Sequence, residues 1–197
     1  MRNLLLAVGL VVLGVVLTIG AQTLLGRGAR DAATVEGFDD WRLECPAPSV
    51  TERGCELGQV VIDQRSKVSL VRLVIHMGSE PPTMTVAVPH GVLLEPGIGL
   101  VFGEQAPKMF AYRTCDTNAC KADVALDSEL ENNLRNNEGG KVTVTDRNGK
   151  PFVIPFSLKG FTRGLDTAYD EASVRNSWWR QILSSAGGLI ATAHASE

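Results

Sequence analysis

The sequence predicts a mainly β fold, an antiparallel β-sandwich or barrel-like domain with one or two short helices, preceded by an N-terminal signal or anchor helix. Three observations predict it: short runs of alternating hydrophobicity separated by Gly and Pro turns, four cysteines in two local pairs, and an apolar run at the N-terminus. The chain has 197 residues, of which 44% are hydrophobic. That length allows one ordinary domain with terminal extensions.

The first 25 residues carry the pattern of an export signal. Met1-Arg2-Asn3 is positively charged, and residues 4–19 are apolar apart from Gly and Thr. Continued through residue 25, the run is long enough to cross a bilayer of roughly 30 Å. A cleaved signal peptide and an uncleaved inner-membrane anchor over 4–25 both remain open, and both predict a periplasmic domain. Residues 26–37 are small and polar, and are interpreted as a linker.

The four cysteines predict two disulfides with short loops. Cys45 and Cys55 form one local pair, and Cys115 and Cys120 form the other, with the turn-forming residues Asp, Thr and Asn in the second loop. A four-cysteine zinc site would want two close pairs; the second pair fits that spacing loosely, but the first is too far apart. Export to an oxidising compartment also favours the disulfides Cys45–Cys55 and Cys115–Cys120.

The domain is expected over residues 38–170. Its predicted strands are short apolar or alternating runs at 41–45, 57–62, 68–77, 83–88, 98–102, 141–145 and 152–158. Asn148-Gly149 between the last two runs predicts a hairpin turn. We expect five residues of these elements and their surroundings to be buried: Trp41, Val86, Val88, Phe156 and Phe161.

Two helices interrupt the β pattern. Ser128 and Glu131 have the spacing of a capping box, which predicts a helix that begins at Ser128. A second helix is expected from about Thr162, and it leads into a C-terminal helix or tail over 171–197. Trp178 and Trp179 lie near two arginines in this tail, and indole rings suit a membrane interface. Membrane contact, docking on the domain and a frayed end remain open for the tail.

The sequence lacks the motifs of the common catalytic and metal sites. Net charge is −3 without a basic block, which argues against a nucleic-acid partner. Asp116-Thr117-Asn118 begins like a calcium loop, but Lys121 stands where that loop needs glycine. His76 and Arg72 share one strand face and are the best candidates for an unrecognised hydrolase or isomerase site. We favour an exposed polar strip there, and no cofactor is implied.

An ordered set of residues resembles the invasion-associated locus B family of bacterial exported proteins. The set is listed here in chain order: Trp41 and Cys45, Cys55 and Gln59, residues 88–92, residues 96–100, Cys115 and Cys120, residues 154–158, and Gly160-Phe161. The resemblance implies an envelope-associated β-rich domain without known catalysis, and the family name suggests a host-cell link. The expected function is therefore non-enzymatic binding or an accessory role, with an envelope protein or a membrane surface as partner.

Overall fold

The computed structural model describes residues 32–47 and 54–174, and eleven strands in this part form two antiparallel sheets. The large sheet has the order β1 (Thr34–Phe38), β2 (Trp41–Cys45), β3 (Glu56–Ile62), β4 (Ser69–His76), β5 (Thr83–Val88), β9 (Cys120–Ala125) and β8 (Thr114–Cys115). The small sheet has the order β11 (Pro151–Ser157), β10 (Gly139–Thr145), β6 (Ile98–Phe102) and β7 (Lys108–Phe110). Helix α1 spans Ser128–Asn136, and helix α2 occupies 161–174.

The inward faces of both sheets form one hydrophobic core, as a sandwich requires. All five residues expected to be buried are at most 4% exposed. The sheets do not join at their edges, so the sandwich interpretation is confirmed and the barrel-like alternative is wrong. Alternation explains the result, because a strand with one apolar face needs a second apolar layer to cover that face.

Trp41 and Gln59 connect the large sheet to the end of the small one. The indole Nε1 of Trp41 and the amide Nε2 of Gln59 both donate to the carbonyl oxygen of Ser157, at 3.0 and 3.1 Å. Trp41 also contacts Phe161 edge to face, with ring centroids 5.0 Å apart. The contact with Phe161, the first residue of α2, holds the start of this helix against the core.

The predicted hairpin turn joins β10 to β11. Thr145 pairs with Pro151, and Gly149 has φ +79°, a conformation that glycine adopts without strain. The carboxylate of Asp146 accepts hydrogen bonds from the backbone amides of Asn148 and Lys150, at 2.8 and 2.9 Å. An aspartate that satisfies its own turn fixes the register of the hairpin.

Helix α1 begins at Ser128, as predicted, but the residue that caps it is different. Its N-cap is Asp127, whose carboxylate accepts from the backbone amide of Leu130 at 2.8 Å, and Ser128 is already helical. The predicted capping box of Ser128 and Glu131 is therefore wrong. Aspartate serves as an N-cap as well as serine does, and here its backbone is extended while that of Ser128 is not.

Helix α2 is held against α1 by a polar cluster. The Tyr169 hydroxyl donates to Glu131 at 2.9 Å, and Arg135 pairs with both Glu131 and Asp166. Burial, followed by the hydrogen bond to Glu131, raises the pKa of Tyr169 to about 12. The second predicted helix is thus present, and it packs on the domain over the described residues.

The N-terminal boundary differs from the expected one. Residues 34–37, which the sequence assigned to a linker, belong to β1, because their backbone pairs with β2 from Thr34 opposite Cys45 to Phe38 opposite Trp41. Only Phe38 of this strand is buried, so the strand has no apolar alternation to reveal it. The predicted signal or anchor segment and the Trp178-Trp179 tail lie outside the described residues. Within the described part, we find no helix that is long and apolar enough to cross a membrane.

Candidate functional site

The outer face of the large sheet carries the polar side chains that the core excludes. Because neighbours along a strand point to opposite faces, burial of Leu57 and Gln59 turns Glu56 and Gly58 outward. Pairing places Gly58 between Arg42 on β2 and Val74 on β4. Residues from three strands therefore meet at one place on this face.

A groove of about 390 Å³ crosses these three strands. Its floor is formed by Gly58, which has no side chain, and by Val74, which is only 9% exposed although it points outward. A Cβ atom at position 58 would lie 3.4 Å from the carbonyl oxygen of Leu73 and 3.6 Å from Val74 Cγ2, which is ordinary contact. The groove thus depends on glycine at this position, while the fold does not.

The groove walls carry both signs of charge. Arg42 lies 4.0 Å from Glu44, and both side chains are more than half exposed. Glu44 is also directly opposite Glu56, a like-charged arrangement that is unfavourable across two strands. Arg72 completes the lining without an ion pair among the described residues. Arg72 is thus available to a ligand, and the exposed side chains of the Arg42–Glu44 pair are accessible to one.

A polar row crosses the sheet beside the groove. His76 lies between Glu56 and Thr85, with Nδ1 3.2 Å from Glu56 Oε1 and Nε2 3.2 Å from Thr85 Oγ1. The Thr85 hydroxyl donates to Asp123 at 2.8 Å, and Asp123 forms an ion pair with Arg113. Since the Thr85 proton goes to Asp123, Thr85 accepts from the Nε2–H of His76. The row resembles a Glu-His-Thr triad in order, but its hydroxyl faces the histidine as an acceptor.

The predicted enzymatic pair is not assembled. Arg72 lines the groove, whereas both ring nitrogens of His76 have partners in the polar row. The two side chains share a face, as the sequence predicts, and the structure shows no contact between them.

Both disulfides are present. Cys115 and Cys120 are directly opposite one another on β8 and β9, and Cys45 at the end of β2 is joined to Cys55 just before β3. Cys45 and Cys55 are buried, whereas Cys115 is exposed at the sheet edge. The carboxylate of Asp116 accepts hydrogen bonds from the Lys121 ammonium and from the backbone amides of Asn118 and Ala119. Together these donors hold the pKa of Asp116 well below its usual range. The segment 116–119 is thus a hairpin turn. In the described ranges, no three metal-ligating side chains are grouped as a metal site would require.

Sequence reasoning missed the groove and the polar row. The available signal for the groove was Gly58 inside a predicted strand, a pattern that marks a bulge or a close approach. The polar row has no local signal, since Glu56, Thr85 and Asp123 are far apart in sequence.

Comparisons with known proteins identify the fold and the family. Residues 41–169 match the family described as Invasion associated locus B (IalB) protein. The crystal structure of invasion associated protein B from Bartonella henselae aligns with a TM-score of 0.62 and 18% identity, over 70% of this chain and 96% of that chain. At that identity the likeness shows the fold alone. A comparison with curated proteins finds no match.

Proposed function

This chain belongs to the invasion associated locus B family, and we propose that it is an exported, envelope-associated protein with a non-enzymatic binding or accessory role. The observation that carries the proposal is the groove over Gly58, which is lined by charged side chains from three strands. Beside it, the side chains best suited to acid–base chemistry are occupied by one another.

The lining of the groove favours a protein as its ligand. Arg42 and Arg72 offer bidentate donors, Glu44 and Glu56 offer acceptors, and Val60 is 49% exposed at the margin. A polymer of uniform charge would meet like charge on one wall. A polypeptide segment supplies both charges and apolar side chains, so it fits the whole lining. The partner is therefore an envelope protein that presents such a segment.

Site-specific photo-crosslinking in cells tests this role. A photoreactive amino acid at Val60, on the groove margin, should give a discrete adduct with an envelope protein. Val153 on β11 is the matched control, because its exposure is 48% against 49% for Val60. Gly58→Val should fill the groove floor and remove the adduct, while the melting temperature shows that the fold remains. Equal adducts from positions 60 and 153, or adducts unaffected by Gly58→Val, would reject the groove as the binding site.

Export itself is tested by cell fractionation with a carbonate wash. Protein in the periplasmic fraction fits a cleaved signal, and protein that resists the wash fits an anchor over 4–25. Protein found only in the cytoplasm would contradict the proposal.

A hydrolase or isomerase remains the second candidate because of the order Glu56, His76 and Thr85 in the polar row. It requires turnover of an envelope substrate that disappears in Thr85→Val and in His76→Gln. Turnover that meets this requirement would replace the binding role with an enzymatic one.

The proposal extends to host-cell interaction because the matched relative is named an invasion associated protein. Deletion of the gene should reduce host-cell entry, and re-expression should restore it. Unchanged entry after deletion removes this part of the proposal and leaves the envelope role intact.

A further inference from the structure

One end of the sandwich gathers turns from both sheets into a surface that we name the loop end. It consists of residues 62–68, 89–97, 116–119 and 146–152. Strand register places these segments together, because β3 ends and β4 begins there, and Val88 at the end of β5 pairs with Cys120 at the start of β9. In the small sheet, the β10–β11 turn is at the same end, since Asp146 bridges to Val92.

Hydrogen bonds join three of these segments to one another. His90 Nε2 lies 2.7 Å from the carbonyl oxygen of Asp116, and the Arg147 amide donates to Gly91 at 3.1 Å. The Leu93 amide donates to Thr145 at 2.8 Å. Residues 89–97, 116–119 and 146–152 are therefore joined across both sheets, and residues 62–68 lie at the same end of the large sheet.

Exposed hydrophobic side chains are concentrated at the loop end. Ten large hydrophobic residues are exposed in the described part of the chain, and half of them lie here. These five are Ile62, Val68, Leu93, Leu94 and Phe152, with exposures from 39% to 53%. A cluster of this kind on a soluble surface marks an interaction site.

Unpaired basic side chains surround the apolar ones. Arg65, Lys67, Arg147 and Lys150 are all exposed, and no carboxylate of the described residues forms an ion pair with them. The aspartates of the same turns are turned inward as acceptors: Asp63 accepts from the amides of Arg65 and Ser66, and Asp146 accepts from those of Asn148 and Lys150. Asp116 pairs with Lys121, and Glu95 is exposed without an ion pair among the described residues. Among the exposed charges of the loop end that have no ion-pair partner, basic groups therefore outnumber acidic ones.

The opposite end of the sandwich has the reverse character. Exposed carboxylates predominate there, including Glu80, Glu104, Asp127, Glu129 and Glu138 among the described residues. Large exposed hydrophobic side chains are lacking in the turns 78–82 and 103–107. The two ends therefore differ in both charge and polarity.

We propose that the loop end docks on a membrane surface that contains anionic phospholipids. Leu93, Leu94 and Phe152 enter the boundary between headgroups and acyl chains, while the lysines and arginines contact lipid phosphates. Five apolar side chains on turns bury little area, so the contact is weak, reversible and sensitive to salt. The inference rests on the proposed envelope location, but it needs no protein in the groove.

Amide hydrogen exchange on the full chain tests the docking. The chain is reconstituted in vesicles of phosphatidylcholine alone or of phosphatidylcholine with phosphatidylglycerol, so that any N-terminal insertion is common to both. Exchange should slow at 62–68, 89–97 and 146–152 only in the anionic vesicles, and high salt should reverse the effect. The turns 78–82 and 103–107 serve as internal controls and should exchange equally in both lipids.

Variants separate the loop end from general charge effects. Arg147→Gln with Lys150→Gln should lower the protection on the order of fivefold for each side chain, as expected for one basic residue near an anionic surface. Leu93→Ser with Leu94→Ser should also lower it. Lys108→Gln with Lys141→Gln changes the net charge equally, toward the opposite end of the small sheet, and should leave the protection unchanged.

Two results would overturn the docking: the same exchange at the loop end in both lipids, or equal loss of protection in both pairs of charge variants. Neither result affects the photo-crosslinked adduct that is expected at Val60. Failure of lipid docking is therefore distinguishable from failure of the proposed binding function.

Discussion

The large sheet turns Leu57, Leu73 and Val86 toward the core, where they are fully buried, and turns Glu56, Gly58 and Thr85 toward solvent. The two sets alternate along the same strands, so they share backbone hydrogen bonds and differ only in what their side chains meet. Inward residues must match the shape of the second layer. Outward residues have no such requirement, and there the sheet holds a groove and a row of polar contacts. Stability and binding are thus assigned to opposite faces of the same strands.

Truncation on the inner face should have the largest effect. Trp41→Ala removes a side chain that is 1% exposed, its contact with Phe161 and its hydrogen bond to Ser157. The free energy of unfolding should fall by about 3–5 kcal/mol, and Phe156→Ala should cost a similar amount. Urea denaturation measures both values. A cost below about 1 kcal/mol would mean that the residue is not in the core.

The buried disulfide should contribute more to the free energy of unfolding than the disulfide at the sheet edge. Cys45–Cys55 is buried on the inner face, whereas Cys115–Cys120 closes a shorter loop at the edge. Loop closure alone predicts roughly 2–3 kcal/mol for each, slightly more for the longer loop. Both sulfurs of the first disulfide belong to buried residues, but only Cys120 of the second is buried, so the cavity cost is larger at the first.

Cys45→Ala with Cys55→Ala should therefore lower the unfolding free energy more than Cys115→Ala with Cys120→Ala. Thermal unfolding of the two double variants measures the order. Peptide mapping without reduction should recover Cys45–Cys55 and Cys115–Cys120, and crossed pairs would contradict the assignment.

Substitution on the outer face should have a smaller effect. Thr85→Val removes the hydroxyl that bonds both His76 and Asp123 and keeps the shape of the side chain. We expect a loss of about 1 kcal/mol, because the hydrogen bonds are partly replaced by water. Thr114→Val on the exposed edge strand is the control and should change stability by less than about 0.5 kcal/mol. A Thr85→Val cost that matches Trp41→Ala would remove the distinction between the faces.

The smallest effect should come from acid titration of the turn aspartates. Lys121, and then the amides of Asn118 and Ala119, lower the pKa of Asp116 in the folded state below the value of about 3.9 in the unfolded chain. The resulting stabilisation is complete above that value and is lost as the pH falls through the folded pKa.

Asp116→Asn should therefore flatten the acid limb of the stability curve, measured by unfolding between pH 7 and pH 2. Because Asp116 is exposed, the difference should be small and should shrink with added salt. An unchanged acid limb in Asp116→Asn would show that the turn does not favour the ionised form. Asp63 and Asp146 also have lowered pKa values, through hydrogen bonds from Ser66 and Lys150 respectively.

Two strands, β1 and β9, have no local sequence pattern that predicts them. The interpretation from sequence found β4, β5 and the β10–β11 hairpin, since each has apolar alternation or a turn motif of its own. It missed β9, in which Val124 alternates with charged Lys121 and Asp123, and it missed the exposed β1. Both strands exist because a neighbouring strand offers unpaired backbone groups. Whether such unpaired backbone groups are present depends on the whole sheet, so the sequence of a single segment does not show it.

The sequence alone determined an antiparallel β domain, the predicted buried side chains and the family, because period-two alternation decides which side chains leave water and an ordered set of motifs survives as a pattern in the chain. The choice between sandwich and barrel depended on whether the two sheets join at their edges, which only the tertiary structure shows. Only the tertiary structure decided how the outer face is arranged. Glu56, His76, Thr85 and Asp123 belong to four strands, and only the register of β3, β4, β5 and β9 brings them within hydrogen-bond distance. The same register places Gly58 between Arg42 and Val74 and so creates the groove. A shift of one residue would turn these side chains into the core, so the surface follows from a register that the inner face selects.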